Sequence, residues 1–233
     1  MMRVLKLTTL SILSVIALIS CKNDSKPTRE PVATPVSKSD TIRLSSIPAE
    51  GAATYAITDG VVSWLGKRTI GNRHTGTLNV SSGELKVNQG HLLSGKITLD
   101  MTSINVNNIK DPGAKADLES HLKDSDFFEV KKYPVGEFVF DEVLPSNLPD
   151  FNWVVSGQLT LKDTTHPVNI PLKLTINNDE LKAQSANFAI NRTKWGVNFQ
   201  SGLLGTAKDK IIEDIVPLSF TVTAKRIKIE PHH

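Results

Sequence analysis

From about residue 54 onward, apolar residues return at every second position in one short segment after another. Leu78 and Val80 alternate with polar neighbours in 77–80; Ile97, Leu99 and Met101 do so in 96–101; Leu159 and Leu161 in 158–162; Leu172 and Leu174 in 170–176. The same pattern marks 186–190, with Phe188 and Ile190, and 216–222, with Phe220. A period of two sends successive side chains to opposite faces of an extended chain, so each segment reads as a strand with one wet and one buried face. Breaks at Ser81-Ser82-Gly83, Asn88-Gln89-Gly90 and Asn177-Asn178-Asp179 are expected to be turns at hairpin spacing. About eight or nine strands result.

One segment departs from this rhythm. In 112–123, Leu118 and Leu122 stand four apart, Asp111 can cap, and Pro112 suits a first helical turn, which predicts one short α-helix. The paired aromatics of Ser125-Asp126-Phe127-Phe128 should clamp that helix onto the strands. Strands plus one helix fit either a sandwich or a closed antiparallel barrel. With one cysteine in 233 residues no internal disulfide can form, so the fold rests on packing, for which 39% hydrophobic residues suffice. Closure removes exposed strand edges and favours an all-β, closed antiparallel barrel of about eight strands, wide enough for one elongated ligand.

The formal net charge is +3, yet from Thr54 onward there are 20 basic and 20 acidic side chains. A neutral domain lacks the field that gathers nucleic acid, so an uncharged or amphiphilic partner is expected; a homodimer is neither required nor forbidden.

The chain opens with basic Arg3 and Lys6, an apolar stretch, and small residues before Cys21, the layout of an export signal. Leu18-Ile19-Ser20-Cys21 resembles the bacterial lipoprotein box, which implies cleavage before Cys21 and acylation of its thiol, with chains such as palmitate. Two or three acyl chains would anchor the protein stably in the bacterial envelope. Lys22 after the cysteine favours the outer membrane over the inner one by analogy with known sorting rules. The Pro-, Ser- and Thr-rich run that follows has little apolar periodicity and reads as a flexible tether. The expected division is signal 1–20, tether 21–53, barrel 54–227 and tail 228–233.

Five segments in order resemble the YceI family of lipocalin-like, polyisoprenoid-binding envelope proteins. They are Tyr55 to Trp64 (YAITDGVVSW), His74-Thr75-Gly76, Leu118 to Pro134, Val155 to Val168 (VSGQLTLKDTTHPV), and Ile190 to Gly196 (INRTKWG). The resemblance spans about 54 to 225 and implies an eight-stranded barrel, a helix over it, and an apolar lumen for a polyisoprenoid, isoprenoid quinone or fatty-acid-like chain. At Thr58 and Asp59-Gly60 the sequence departs from the family's usual aspartate and histidine–serine pair, at what is expected to be the mouth. Alternation makes Val62, Trp64, Leu78, Ile97, Leu99, Met101, Phe138, Phe140, Leu159, Leu161, Leu172, Leu174, Phe188, Ile190 and Phe220 the inward, ligand-binding candidates. Burying about twenty methylenes at about 0.8 kcal/mol each yields about 16 kcal/mol, and an association cost of about 8 leaves near-micromolar affinity. In the rival reading the same residues fill a solid core and the barrel is a protein-interaction module.

In INRTKWG, Arg192 could reach a ligand head group or bond loop carbonyls at a strand end, and Trp195 could close the mouth or pack. His74, His91, His121 and His166 lie on separate segments without metal-pair spacing, so no metal and no cofactor are expected. No nucleophile elbow, phosphate loop or zinc-protease helix occurs, and the chain reads as a binding protein rather than an enzyme.

Overall fold

A computed structural model describes residues 47–228. The expected signal peptide, Cys21 with its lipidation, the tether up to residue 46 and the tail beyond residue 228 lie outside the described residues.

The alternating segments form β1 (Ala53–Lys67), β2 (Arg73–Asn88), β3 (His91–Val106), β4 (Val135–Pro145), β5 (Trp153–Leu161), β6 (Thr164–Asn177), β7 (Glu180–Ser185), β8 (Phe188–Asn191) and β9 (Ile215–Arg226). Each strand from β1 to β7 pairs antiparallel with the next, β7 pairs with β9, and β9 returns to β1. Closure therefore takes eight strands. The ninth, β8, pairs with β9 at 215–218 while β7 pairs with it at 221–225, so the two share one place in the wall, split at Ala186-Asn187. No edge is left along most of the sheet, which answers the choice between barrel and sandwich.

The strands curve through bulges that the period of two does not announce. Ser81-Ser82-Gly83, expected to be a turn, lies inside β2, where Val80 pairs with Leu99 but Ser82 with Thr98. Glycine marks a close approach here: a Cβ on Gly83 would stand 2.5 Å from Ile57 Cδ1 and 2.8 Å from the Lys96 carbonyl oxygen. The other two breaks are turns, with Gln89 and Gly90 joining β2 to β3 and Asn178 joining β6 to β7, all three at positive φ. Thr58–Gly60 is also misplaced by the sequence reading. It lies mid-strand at a register shift of β1 against β9, and Gly60 faces inward where a Cβ would meet that of Val80 at 2.8 Å.

The helix α1 (Pro112–Lys123) forms where expected between β3 and β4. Asp111 accepts a hydrogen bond from the Ala114 amide, a cap worth about 1 kcal/mol, and Pro112 occupies the first turn. Glu119 fastens the helix to the barrel by accepting from the Val106 amide at 2.8 Å.

The two ends of the barrel differ. At the end holding the start of β1 and the turns β2–β3 and β6–β7, Tyr55, Leu85, Leu92, Phe140, Leu174 and Leu181 pack into a solid floor. Phe140 is seated between glycines on both neighbouring strands, since a Cβ on Gly95 would fall 2.6 Å from its ring and one on Gly157 2.7 Å from its Cβ. Tyr55 Oη donates to the Asn178 carbonyl at 2.6 Å and pins β1 to the floor turn.

Candidate ligand-binding cavity

Above that floor the lumen opens into a cavity of about 380 Å³, toward the small end of the 300–1,000 Å³ typical of ligand pockets. Its wall is built from the inward faces of the strands at the end opposite the floor. Val62, Trp64, Leu78, Ile97, Leu99 and Met101 line it from β1 to β3. Phe138, Leu159 and Leu161 continue the wall, and Phe188, Ile190 and Phe220 close the circle from β8 and β9. Phe140, Leu172 and Leu174 do not line it. They share the inward face but stand lower, within the packed floor. Both a cavity and a solid core are thus present, at different heights.

Trp64 occupies its place because of the glycine in His74-Thr75-Gly76. Gly76 is its partner across β1 and β2, and a Cβ there would overlap the indole ring and the Asn105 carbonyl oxygen. The indole therefore lies along the barrel wall, its Nε1 aimed at the Thr77 carbonyl at 3.4 Å.

Residues outside the strands cover the mouth. Leu118, His121 and Leu122 of α1, Phe127 and Phe128 behind it, and Val197, Phe199 and Gln200 of the excursion between β8 and β9 all reach the cavity. The helix and this excursion meet through rings: His121 stands edge-on to Phe127 and Phe199 with centroids 5.1 and 4.8 Å away, and Phe127 lies 5.2 Å from Phe199. The aromatic pair thus clamps the helix, as its sequence suggested, to the excursion as well as to the strands. Alternation could not flag the excursion, which has none.

Apart from His121 and Arg192, the polar side chains of the lining gather at the lip, with Lys67, Arg68, Asn72, His74 and Gln200. His74 Nδ1 and Gln200 Oε1 are buried without a hydrogen-bond partner among the described residues, and Gln200 takes a positive φ of 49°.

Arg192 also borders the cavity, but its guanidinium is spent on the protein. It is 5% exposed and donates to the carbonyls of Val197 at 2.7 Å, Ile212 at 3.0 Å and Glu213 at 3.2 Å, and to Asp214 Oδ1 at 3.1 Å. Asp214 in turn accepts from Ser201 Oγ. Burial pulls the guanidinium's pKa below its ordinary value, and the Asp214 carboxylate opposes that pull. The rest of INRTKWG completes the clasp. Asn191 caps the short turn by accepting from the Thr193 amide, buried Trp195 donates Nε1–H to the Leu159 carbonyl at 3.0 Å, and Gly196 ends the turn at a φ of 71°. Of the two roles open to each residue in the sequence, these contacts are those of a strand-end tie for Arg192 and of packing for Trp195. Among the described residues no three His, Cys, Asp or Glu side chains converge as a metal site.

A closed antiparallel barrel with a packed floor, an apolar upper lumen and a helix at its mouth defines a lipocalin-like class. Within that class, residues 58–224 match the YceI-like domain, and the chain belongs to that family. The crystal structure of Burkholderia cenocepacia BcnA is similar, with a TM-score of 0.55 and 21% identity over 70% of this chain and 95% of that one. So is a polyisoprenoid binding domain from Saccharophagus degradans implicated in plant cell wall breakdown, with a TM-score of 0.51 and 12% identity over 75% of this chain and 99% of that one. At such identities the likeness is one of fold. The sequence has no significant match among curated proteins.

Proposed function

We propose that the barrel is a non-catalytic carrier or store for one long apolar chain, held in the upper lumen with its far end against the Phe140 floor. The observation that carries this reading is the shape of the lumen: about 380 Å³ that no side chain fills, above a floor of buried apolar residues, with a lining that is apolar except at the lip, His121 and the internally bonded Arg192. A protein gains no stability from such a space, since its lining forgoes dispersion contacts. An apolar chain supplies the missing neighbours and needs no charge inside. A polyisoprenoid, isoprenoid quinone or fatty-acid-like chain fits this chemistry, and the description of the Saccharophagus domain as polyisoprenoid-binding supports the first. Extraction of purified protein with organic solvent, followed by mass spectrometry, should recover such a chain in near-stoichiometric amount. Repeated recovery of none would sink the proposal.

The lipoprotein-box resemblance at Leu18–Cys21 supports placing this barrel on an envelope membrane through an acylated Cys21, the outer membrane by the Lys22 rule. Cys21→Ser should abolish incorporation of labelled palmitate into the protein and leave the lipid extracted from the barrel unchanged. Continued acyl labelling of that variant would refute the anchor.

A further inference from the structure

We propose that the lip formed by the β1–β2 hairpin and the β8–β9 excursion is a docking surface for an anionic lipid bilayer. Ile70 and Leu203 are the two most exposed large apolar side chains among the described residues, at 60% and 76%. Neither belongs to the core, and both stand beside the same opening. Arg68 and Asn72, on either side of Ile70, line the cavity; so does Gln200, three residues before Leu203.

Backbone pairing makes the two segments one surface. Arg68 bridges Ile212, the Thr69 amide donates to the Ile211 carbonyl at 3.0 Å, and the Glu213 amide donates to the Lys67 carbonyl at 2.9 Å. Gly202, next to Leu203, lies against the Ile211 side chain, because a Cβ on it would stand 3.6 Å from Ile211 Cδ1. Both apolar tips therefore stand on one joined lip.

Charge decides what this lip fits. Lys67, Arg68, Arg73, Lys194, Lys208 and Lys210 belong to these two segments, against Asp209 and Glu213; Glu213 is already paired with Lys67 at 3.1 Å, and Asp214 with the buried Arg192. The domain as a whole is neutral, so the excess of cations on these two segments is a local one, at the two most exposed apolar tips. Apolar tips ringed by cations match the acyl boundary and phosphate layer of an anionic bilayer, and a protein partner would not require the tips to flank a lipid-sized opening. The lip would let an apolar chain pass between bilayer and lumen without crossing water. This step takes the cavity as a lipid site, as proposed above, and the experiment separates the two claims.

The test is co-sedimentation of the Cys21→Ser protein, which lacks the proposed anchor, with vesicles of phosphatidylcholine alone or with phosphatidylglycerol. Binding should require phosphatidylglycerol and weaken as salt is raised. Lys208→Glu combined with Lys210→Glu should lower partitioning about 25-fold or more, at about fivefold per cation removed. Ile70→Asp with Leu203→Asp should do likewise, whereas Lys173→Glu on the outer wall should leave it nearly unchanged. No binding to anionic vesicles, or equal losses at Lys173 and at the lip, would overturn the proposal. Lipid extracted from the same variants reports on the cavity separately: an empty parent protein that still binds vesicles in this pattern overturns the carrier reading and upholds the docking surface.

Discussion

Arg192→Met is the sharpest test of how the mouth is held. The substitution keeps most of the side chain's bulk but removes four hydrogen bonds, leaving the Val197, Ile212 and Glu213 carbonyls and the Asp214 carboxylate without their shared donor. Asp214 keeps only its bond from Ser201, so a largely buried charge is left unpaired. Breaking one side of such a pair costs about 3–5 kcal/mol, a large part of a domain's usual 5–15. Arg192→Lys should suffer most of the loss, because an ammonium cannot present the planar fork that reaches four acceptors. Adding Asp214→Leu to Arg192→Met should recover part of it by removing the stranded charge. Urea unfolding followed by tryptophan fluorescence measures each step, and lipid extraction from the folded protein reports occupancy. If Arg192→Met unfolds within about 0.5 kcal/mol of the parent yet loses its lipid, then Arg192 serves a ligand head group and the clasp argument is wrong.

Trp64→Asp should abolish lipid retention, since it places a carboxylate in the cavity wall, and should lower stability as well; a folded variant that keeps its lipid would show the face to be misassigned. Phe140→Ala should cost about 3–5 kcal/mol in unfolding experiments while the folded protein keeps its lipid, because that ring belongs to the floor. Gly76→Val should push the Trp64 indole off the wall, costing about 1–3 kcal/mol and reducing lipid content, with altered tryptophan emission as the direct readout. Hydrogen bonds from Tyr133, Lys228 and Lys182 hold Asp163, Asp179 and Glu180 below their ordinary carboxylate range. Depressed folded-state values mean stability present above the unfolded pKa and lost as pH falls through the folded one. The acid limb of a stability–pH curve should therefore flatten in Asp163→Asn, and an unchanged limb would remove that contribution.

Much of the barrel is legible along the chain because burial on one face imposes a period of two, and because caps such as Asp111-Pro112 act within a few residues of themselves. Those are local constraints, so a single segment displays them. Bulges interrupt this record. Between Thr77 and Asn79 the partner in β3 jumps from Asn105 to Asp100, and the inward set passes from Ile97, Leu99 and Met101 to Ile104. The Asn79 amide is satisfied there by the Ser103 hydroxyl, a contact across two strands that neither strand reveals alone.

Alternation also says which face a residue occupies but not how high it stands. Leu172 and Leu174 are indistinguishable in sequence from Val168 and Ile170 on the same strand, yet the first pair packs in the floor and the second lines the cavity. Height follows from strand tilt and from register around the closed ring, which no one segment carries. The mouth is the extreme case: α1, Phe127, Phe128 and the aperiodic excursion are brought together by ring contacts and by Arg192 reaching carbonyls up to 21 positions away. Strand character, the helix and the family signature are thus properties of the chain read locally. The division of one apolar lumen into floor, cavity and lip is a property of closure, because only closure decides which side chains must share the same space.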